Sequence, residues 1–352
     1  MPVAAARRLS ASRRAVLAGL SAATAAGACA PPAAPGPPIA AGLCGAVDVS
    51  RDGAAWAAVF GKQVTLWSAG NGRRLTVSAP LAVDIWEIAF AADGSLLGVC
   101  EDGALRRWRL PDLGLVATLP VMAGYGVSLA AWPDRPLAAV SGAEDAFRIV
   151  DWRGGRIVRA TPLLVDERPE VDPPTQLPGH LMKATGLAVS RDGRWLASAD
   201  DRGIVVLWDA ATGAFVRLFA RAYGYLNFIP ERMAGSTALA FSPDGARLAF
   251  GSGEEVVEWS LADGTVVARH RLGDQVDAVD YGPDGRLAAG AWNGDVVLLE
   301  RGPGQRLRRR WTRAFGSHEV NGLRFHPRGM LAVAGMKGLY VLDPAGAPAY
   351  RA

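Results

Sequence analysis

The stretch that decides the fold is "LAVSRDGRWLASADDRGIVVLWD", residues 187–209. It opens on alternating apolar residues, breaks at Asp192-Gly193, resumes as a second apolar run from Trp195, breaks again, and closes on Trp208-Asp209. Period-2 alternation puts successive side chains on opposite faces, so each run reads as a strand. The Asp-Gly pair marks a tight turn, because glycine accepts positive φ without steric cost. The segment is a β-meander.

The same phrase recurs through the chain. Before it stand "VDVSRDGAAWAAVFGKQVTLW" (47–67), "IAFAADGSLLGVCEDGALRRW" (88–108) and "LAAWPDRPLAAVSGAEDAFRIVDW" (129–152). After it come "LAFSPDGARLAFGSGEEVVEW" (239–259), "VDYGPDGRLAAGAWNGDVVLL" (279–299) and "LRFHPRGMLAVAGMKGLYVLD" (323–343). The first turn of each repeat falls at Asp52, Asp93, Asp134, Asp192, Asp244, Asp284 and Arg328, at intervals of 41, 41, 58, 52, 40 and 44 residues. Four of those intervals match the period of a four-stranded propeller blade. One meander cannot bury both of its faces, but seven stacked in a ring can. The expected fold is all-β, a seven-bladed β-propeller of four-stranded antiparallel blades.

Residues 44–352 resemble the WD-repeat family, and the fourth repeat carries the resemblance best. It has Gly179-His180 ahead of its first strand, Ser198 on the second, and Trp208-Asp209 closing the third. The resemblance implies a buried network of His180, Ser198 and Trp208; Arg202 holds the position where the family has an aspartate, with Asp201 one residue early. The other repeats lack this set and must rely on packing. Trp67, Trp108, Trp152 and Trp259 still close the third strand, while Leu299 and Leu342 close it in the last two. By analogy with the end of the fourth repeat ("WDAATGAFVR", 208–217), the tail "LDPAGAPAYR" (342–351) is expected to supply the outer strand of the seventh blade. The residues ahead of the first repeat are rich in proline and poor donors for a ladder.

The N-terminus reads as an address. Arg7, Arg8, Arg13 and Arg14 precede the mildly apolar run "AVLAGLSAATAAGA" (15–28) and a small-residue boundary. That is signal-peptide architecture over residues 1–28, too short for a spanning helix. "SRRAVL" (12–17) resembles a twin-arginine motif with Val16 in place of phenylalanine, and a Sec signal fits as well. Cys29, after Ala26-Gly27-Ala28, resembles a bacterial lipobox with Ala26 where leucine is usual. Lipidation at Cys29 and simple cleavage after Ala28 are both compatible with it. Residues 29–43 form a proline-rich tether that favours extended polyproline II. The expected location is the periplasmic side of a bacterial membrane, with membrane attachment through an N-terminal lipid only.

Charge narrows the function classes. The chain has 38 basic and 34 acidic residues. Without the four arginines of residues 1–28 it is neutral, which removes any global pull toward nucleic acid or an anionic membrane. The four histidines, His180, His270, His318 and His326, show no metal-pairing spacing. No haem attachment motif or phosphate loop occurs, so no cofactor, metal or catalytic residue is assigned. Cys44 and Cys100 fall near one face of adjacent repeats, a pair that export would allow to oxidise.

Two long connections flank the fourth repeat. Residues 160–183 carry Asp166, Glu167, Glu170 and Asp172 among five prolines. Residues 220–234, "ARAYGYLNFIPERMA", carry Arg221, Tyr223, Tyr225, Phe228 and Arg232. An acidic loop beside an aromatic one suits a recognition surface, since Tyr and Phe bury large areas at small entropic cost; the alternative is that the aromatics fold down as a local plug and the acids are solvated. The expected function is non-catalytic binding of protein or peptide through the loops of blades 3–5. The rival is an exported propeller enzyme or redox subunit with a small ligand at the channel mouth, which a convergent polar cluster from several blades would favour. "RLRRRWTR" (306–313) is expected on the outer strand of the sixth blade, where charge keeps an edge from pairing; contact with an anionic partner is the alternative.

Overall fold

The computed structural model describes residues 33–143, 146–162, 184–200, 205–219, 238–316 and 319–350. They form one compact unit of seven four-stranded antiparallel sheets, the blades of a β-propeller. Blades 1 to 6 span residues 47–77, 85–120, 126–162, 184–219, 239–271 and 276–314, and blade 7 spans residues 320–342 plus a short strand from the N-terminal side. Within blades 1 to 6 the four strands run in sequence order from the centre of the ring to its rim. No helix among the described residues is long and apolar enough to cross a membrane.

The core is the seams between blades. Seven hydrophobic clusters each draw on two neighbouring blades, and together they run once round the ring. The closing residue of every third strand sits in the seam with the preceding blade: Trp67, Trp108, Trp152, Trp208, Trp259, Leu299 and Leu342. Second strands are pressed on both faces and so are built from small residues, as in Ala55–Phe60 (AWAAVF) and Leu287–Ala291 (LAAGA). A Cβ on Gly290 would lie 2.5 Å from the Val320 side chain of blade 7, so only glycine allows that approach.

The Asp-Gly turns join inner to second strands. In blades 1 and 4 the serine two residues before the aspartate donates to it at 2.6 Å, from Ser50 to Asp52 and from Ser190 to Asp192. The same carboxylates accept the N–H groups of Ala54 and Arg194 at 2.9 and 3.0 Å. These bonds hold both carboxyls below the usual aspartate range.

Ring closure departs from the sequence reading. The outer strand of blade 7 is Ala40–Ala41, paired antiparallel with Leu339 and Gly338, not the C-terminal tail. Ile39 donates to the Leu339 carbonyl at 2.8 Å and Cys44 to that of Gly335 at 3.0 Å. The reason is local: the prolines end at Pro38, so the backbone N–H groups needed for the ladder survive at Ile39 and beyond. The tail takes the other end of the same edge, with one bridge from Leu342 to Pro348 and a bond from Ala349 N–H to the Val341 carbonyl. Tyr350 then accepts from the Trp56 indole and donates to the Ala69 carbonyl of blade 1, each at 2.9 Å. Residues 39–44 and 348–350 therefore clasp the seam between blades 7 and 1.

Candidate functional site

Inner strands run in the same sense around the ring, so their ends, with the Asp-Gly turns, share one face. Their starts, where residues 163–183 and 220–237 join blades 4 and 5, share the other. An open cavity of about 730 Å³ occupies the turn-side mouth of the channel and is lined by inner-strand residues of all seven blades.

The first backbone bond of each turn sets the register, from Ser50, Ala91, Trp132, Ser190, Ser242, Gly282 and His326. Two residues earlier the inner strands present Asp48, Ala89, Ala130, Ala188, Ala240, Asp280 and Arg324 to the channel. The charge is therefore confined to blades 6, 7 and 1, joined by Glu87 of blade 2, one step further along. Arg324 Nε lies 3.0 Å from Asp48 Oδ1, and its Nη1 lies 3.8 Å from Asp280 Oδ1.

Each carboxylate also ties its blade to the next. Asp48 accepts the N–H of Phe90 at 2.7 Å, Asp280 that of Phe325 at 2.6 Å, and Glu87 that of Leu129 at 3.0 Å. Ser128 continues the series by accepting from Leu187 N–H at 3.1 Å. Burial pushes the Glu87 carboxyl up to about 7 and that of Asp280 up to about 6, and raises Asp48 as well. Arg324 opposes the rise at all three, as do the backbone donors. A convergent polar cluster from several blades is present, as the small-ligand reading requires, yet its carboxylate oxygens are bonded to neighbouring inner strands.

Two further links cross the seams. His326 accepts from Arg328 N–H at Nδ1, so Nε2 carries the proton and donates to the Gly53 carbonyl of blade 1 at 2.8 Å. Trp132, at the equivalent position of blade 3, donates to the Gly193 carbonyl of blade 4 at 3.2 Å. Between blades 5 and 6 the buried Glu258 takes a forked bond from Arg301, 2.7 Å to each oxygen, and accepts from the Tyr281 hydroxyl. The channel charges Asp48, Asp280 and Arg324 and the Glu258–Arg301 pair are not among the residues that the sequence reading assigns to a site. The signal was a charge within an apolar inner strand, as in "VDVS", "VDYG" and "LRFH".

In blade 4 the Trp208 indole donates to Ser198 Oγ at 2.7 Å, both buried. His180 lies outside the described residues, and so do Asp166, Glu167, Glu170, Asp172, Arg221, Tyr223, Tyr225, Phe228, Arg232 and Cys29. The strands that anchor the two long connections are Arg156–Pro162 and Ala184–Val189 for the first, and Phe215–Phe219 and Leu239–Phe241 for the second. Cys44 and Cys100 are both buried and free, so no bridge forms. The outer strand of blade 6, Leu307–Ala314, carries the arginine run as expected. Among the described residues no group of three or more His, Cys, Asp or Glu is placed to hold a metal ion.

Residues 172–209 match the family model "WD domain, G-beta repeat". A chain of a solved structure described as "Crystal Structure of Mitotic Checkpoint Complex" superposes with a TM-score of 0.69 at 17% identity, over 87% of this chain and 92% of that one. At that identity the likeness shows the fold alone. No curated protein matches the chain. The seven blades and the matched repeat together support a WD-repeat propeller.

Proposed function

We propose that the chain is an exported, non-catalytic platform that binds protein or peptide through the connections flanking blade 4, tethered to the membrane at Cys29. The observation that carries this reading is the commitment of the channel carboxylates: Asp48, Glu87 and Asp280 each spend an oxygen on the next blade's backbone. Groups bonded in this way hold the ring together and are poorly placed to turn over a substrate. The WD-type match adds weight, because such propellers commonly serve as scaffolds. Residues 220–234 make a fifteen-residue connection rich in aromatic residues, and such side chains serve as anchors in protein contacts.

Tyr225→Ala tests the binding surface. Truncating an aromatic anchor weakens capture of a partner by about 1–3 kcal/mol, while the melting temperature is expected to stay put. A variant that melts early and captures normally would make the loop a plug over the ring instead. The anchor is tested separately: Cys29→Ala should lower the membrane-bound fraction, and unchanged partitioning would refute lipidation.

A further inference from the structure

The arginine run of blade 6 has more charge than its edge needs. The outer strand Leu307–Ala314 and the residue before it hold five arginines in nine positions: Arg306, Arg308, Arg309, Arg310 and Arg313. The outer strands of blades 1 to 5 hold none to two each. That of blade 2, Gly114–Pro120, has none and leaves Leu115 and Val116 about half exposed, at 48% and 46%. Edge protection is therefore not the general use of charge on this rim.

Two of the blade 6 side chains are occupied by the C-terminal turn. Arg313 donates to the carbonyls of Gly346 and Ala345, and Trp311 to that of Pro344, which fixes the turn on the strand. Arg306, Arg308, Arg309 and Arg310 are exposed, and Arg310 pairs with Glu300 at 2.9 Å. The start of the described chain lies on the same strand. Ala33 forms a parallel bridge with Arg313 and accepts from Ala314 N–H at 3.3 Å. Cys29 is four residues before Ala33, and four residues span at most about 14 Å. A lipid at Cys29 would thus hold this strand close to the bilayer surface, within reach of headgroup charge.

We propose that Arg306, Arg308, Arg309 and Arg310 form a contact surface for anionic phospholipid headgroups, orienting the propeller with the rim of blade 6 toward the membrane. The inference rests on the tethering at Cys29 for proximity, while the charge of the strand acts with or without the lipid. Near an anionic membrane each arginine strengthens partitioning by roughly fivefold. With Arg310 partly neutralised by Glu300, removing three of them should weaken binding by about ten- to a hundred-fold.

The test uses the purified full chain carrying Cys29→Ser, sedimented with phosphatidylglycerol-containing or pure phosphatidylcholine vesicles. All variants share the N-terminal arginines, so the comparison between them is the readout. Adding Arg308→Gln, Arg309→Gln and Arg310→Gln together should cause the stated loss on anionic vesicles and none on neutral ones. Arg73→Gln with Arg74→Gln, exposed on blade 1, should leave binding within twofold, and circular dichroism should show both variants folded. Undiminished binding by the triple variant, or an equal loss in the blade 1 control, would overturn the proposal. Because the lipid site is absent throughout, that failure leaves the anchoring reading untouched; a failure of anchoring shows only in the membrane partitioning of Cys29→Ala.

Discussion

Replacing Glu87 by glutamine should make the protein more stable at alkaline pH and change little in acid. Glu87 is 5% exposed and bridges blade 2 to the Leu129 N–H of blade 3. Burial raises its carboxyl from an ordinary 4.5 to about 7, so the folded state holds a proton that the unfolded chain releases. Folding is therefore favoured below the unfolded value and penalised progressively as pH rises from about 4.5 to about 7. Raising a carboxyl's pKa by one costs about 1.4 kcal/mol once the group must ionise, so the full penalty is about 3 kcal/mol. Glutamine keeps an oxygen for Leu129 and cannot ionise, so the penalty disappears. Urea unfolding at pH 5 and pH 8.5 measures it. The parent should lose about 3 kcal/mol more than Glu87→Gln between the two conditions, and Asp280, raised to about 6, should leave a residual slope in the variant. If the variant loses stability equally at both pH values, Glu87 acts in its charged form and the reasoning fails.

Three other substitutions probe the seams. Trp208→Ala should cost about 3–5 kcal/mol as a core truncation, read as a fall in the denaturation midpoint. Arg301→Ala should cost about 3–5 kcal/mol, because it strips the forked partner from the buried Glu258; a smaller loss would mean that Arg247 or water takes over. Tyr350→Phe removes two hydrogen bonds from the C-terminal clasp and should cost about 1–3 kcal/mol, with no effect if the tail is only laid on the surface.

The repeats were legible because turns and strand ends are written locally. An Asp-Gly pair needs no distant partner to fold back, and a tryptophan closing a third strand is buried by whichever blade precedes it. Ring closure was not legible, because two competing segments can cover one edge. The choice of Ala40–Ala41 over the tail turns on where the prolines stop and on Gly338, whose missing side chain leaves room for the Ala40 carbonyl. The channel charges were hidden for a different reason. Asp48, Asp280 and Arg324 interrupt apolar strands forty or more residues apart, and only closing the ring brings them together. The Glu258–Arg301 pair likewise joins third strands of two blades.

The central claim, binding through the blade 4 connections and not in the channel, is open to a direct measurement. A photo-crosslinking residue placed at Tyr225, and separately at Arg51 on the rim of the channel mouth, can be activated on intact cells and the adducts read by mass spectrometry. Partner protein attached at position 225 and absent at position 51 is the expected result; protein adducts at position 51 alone would contradict the account.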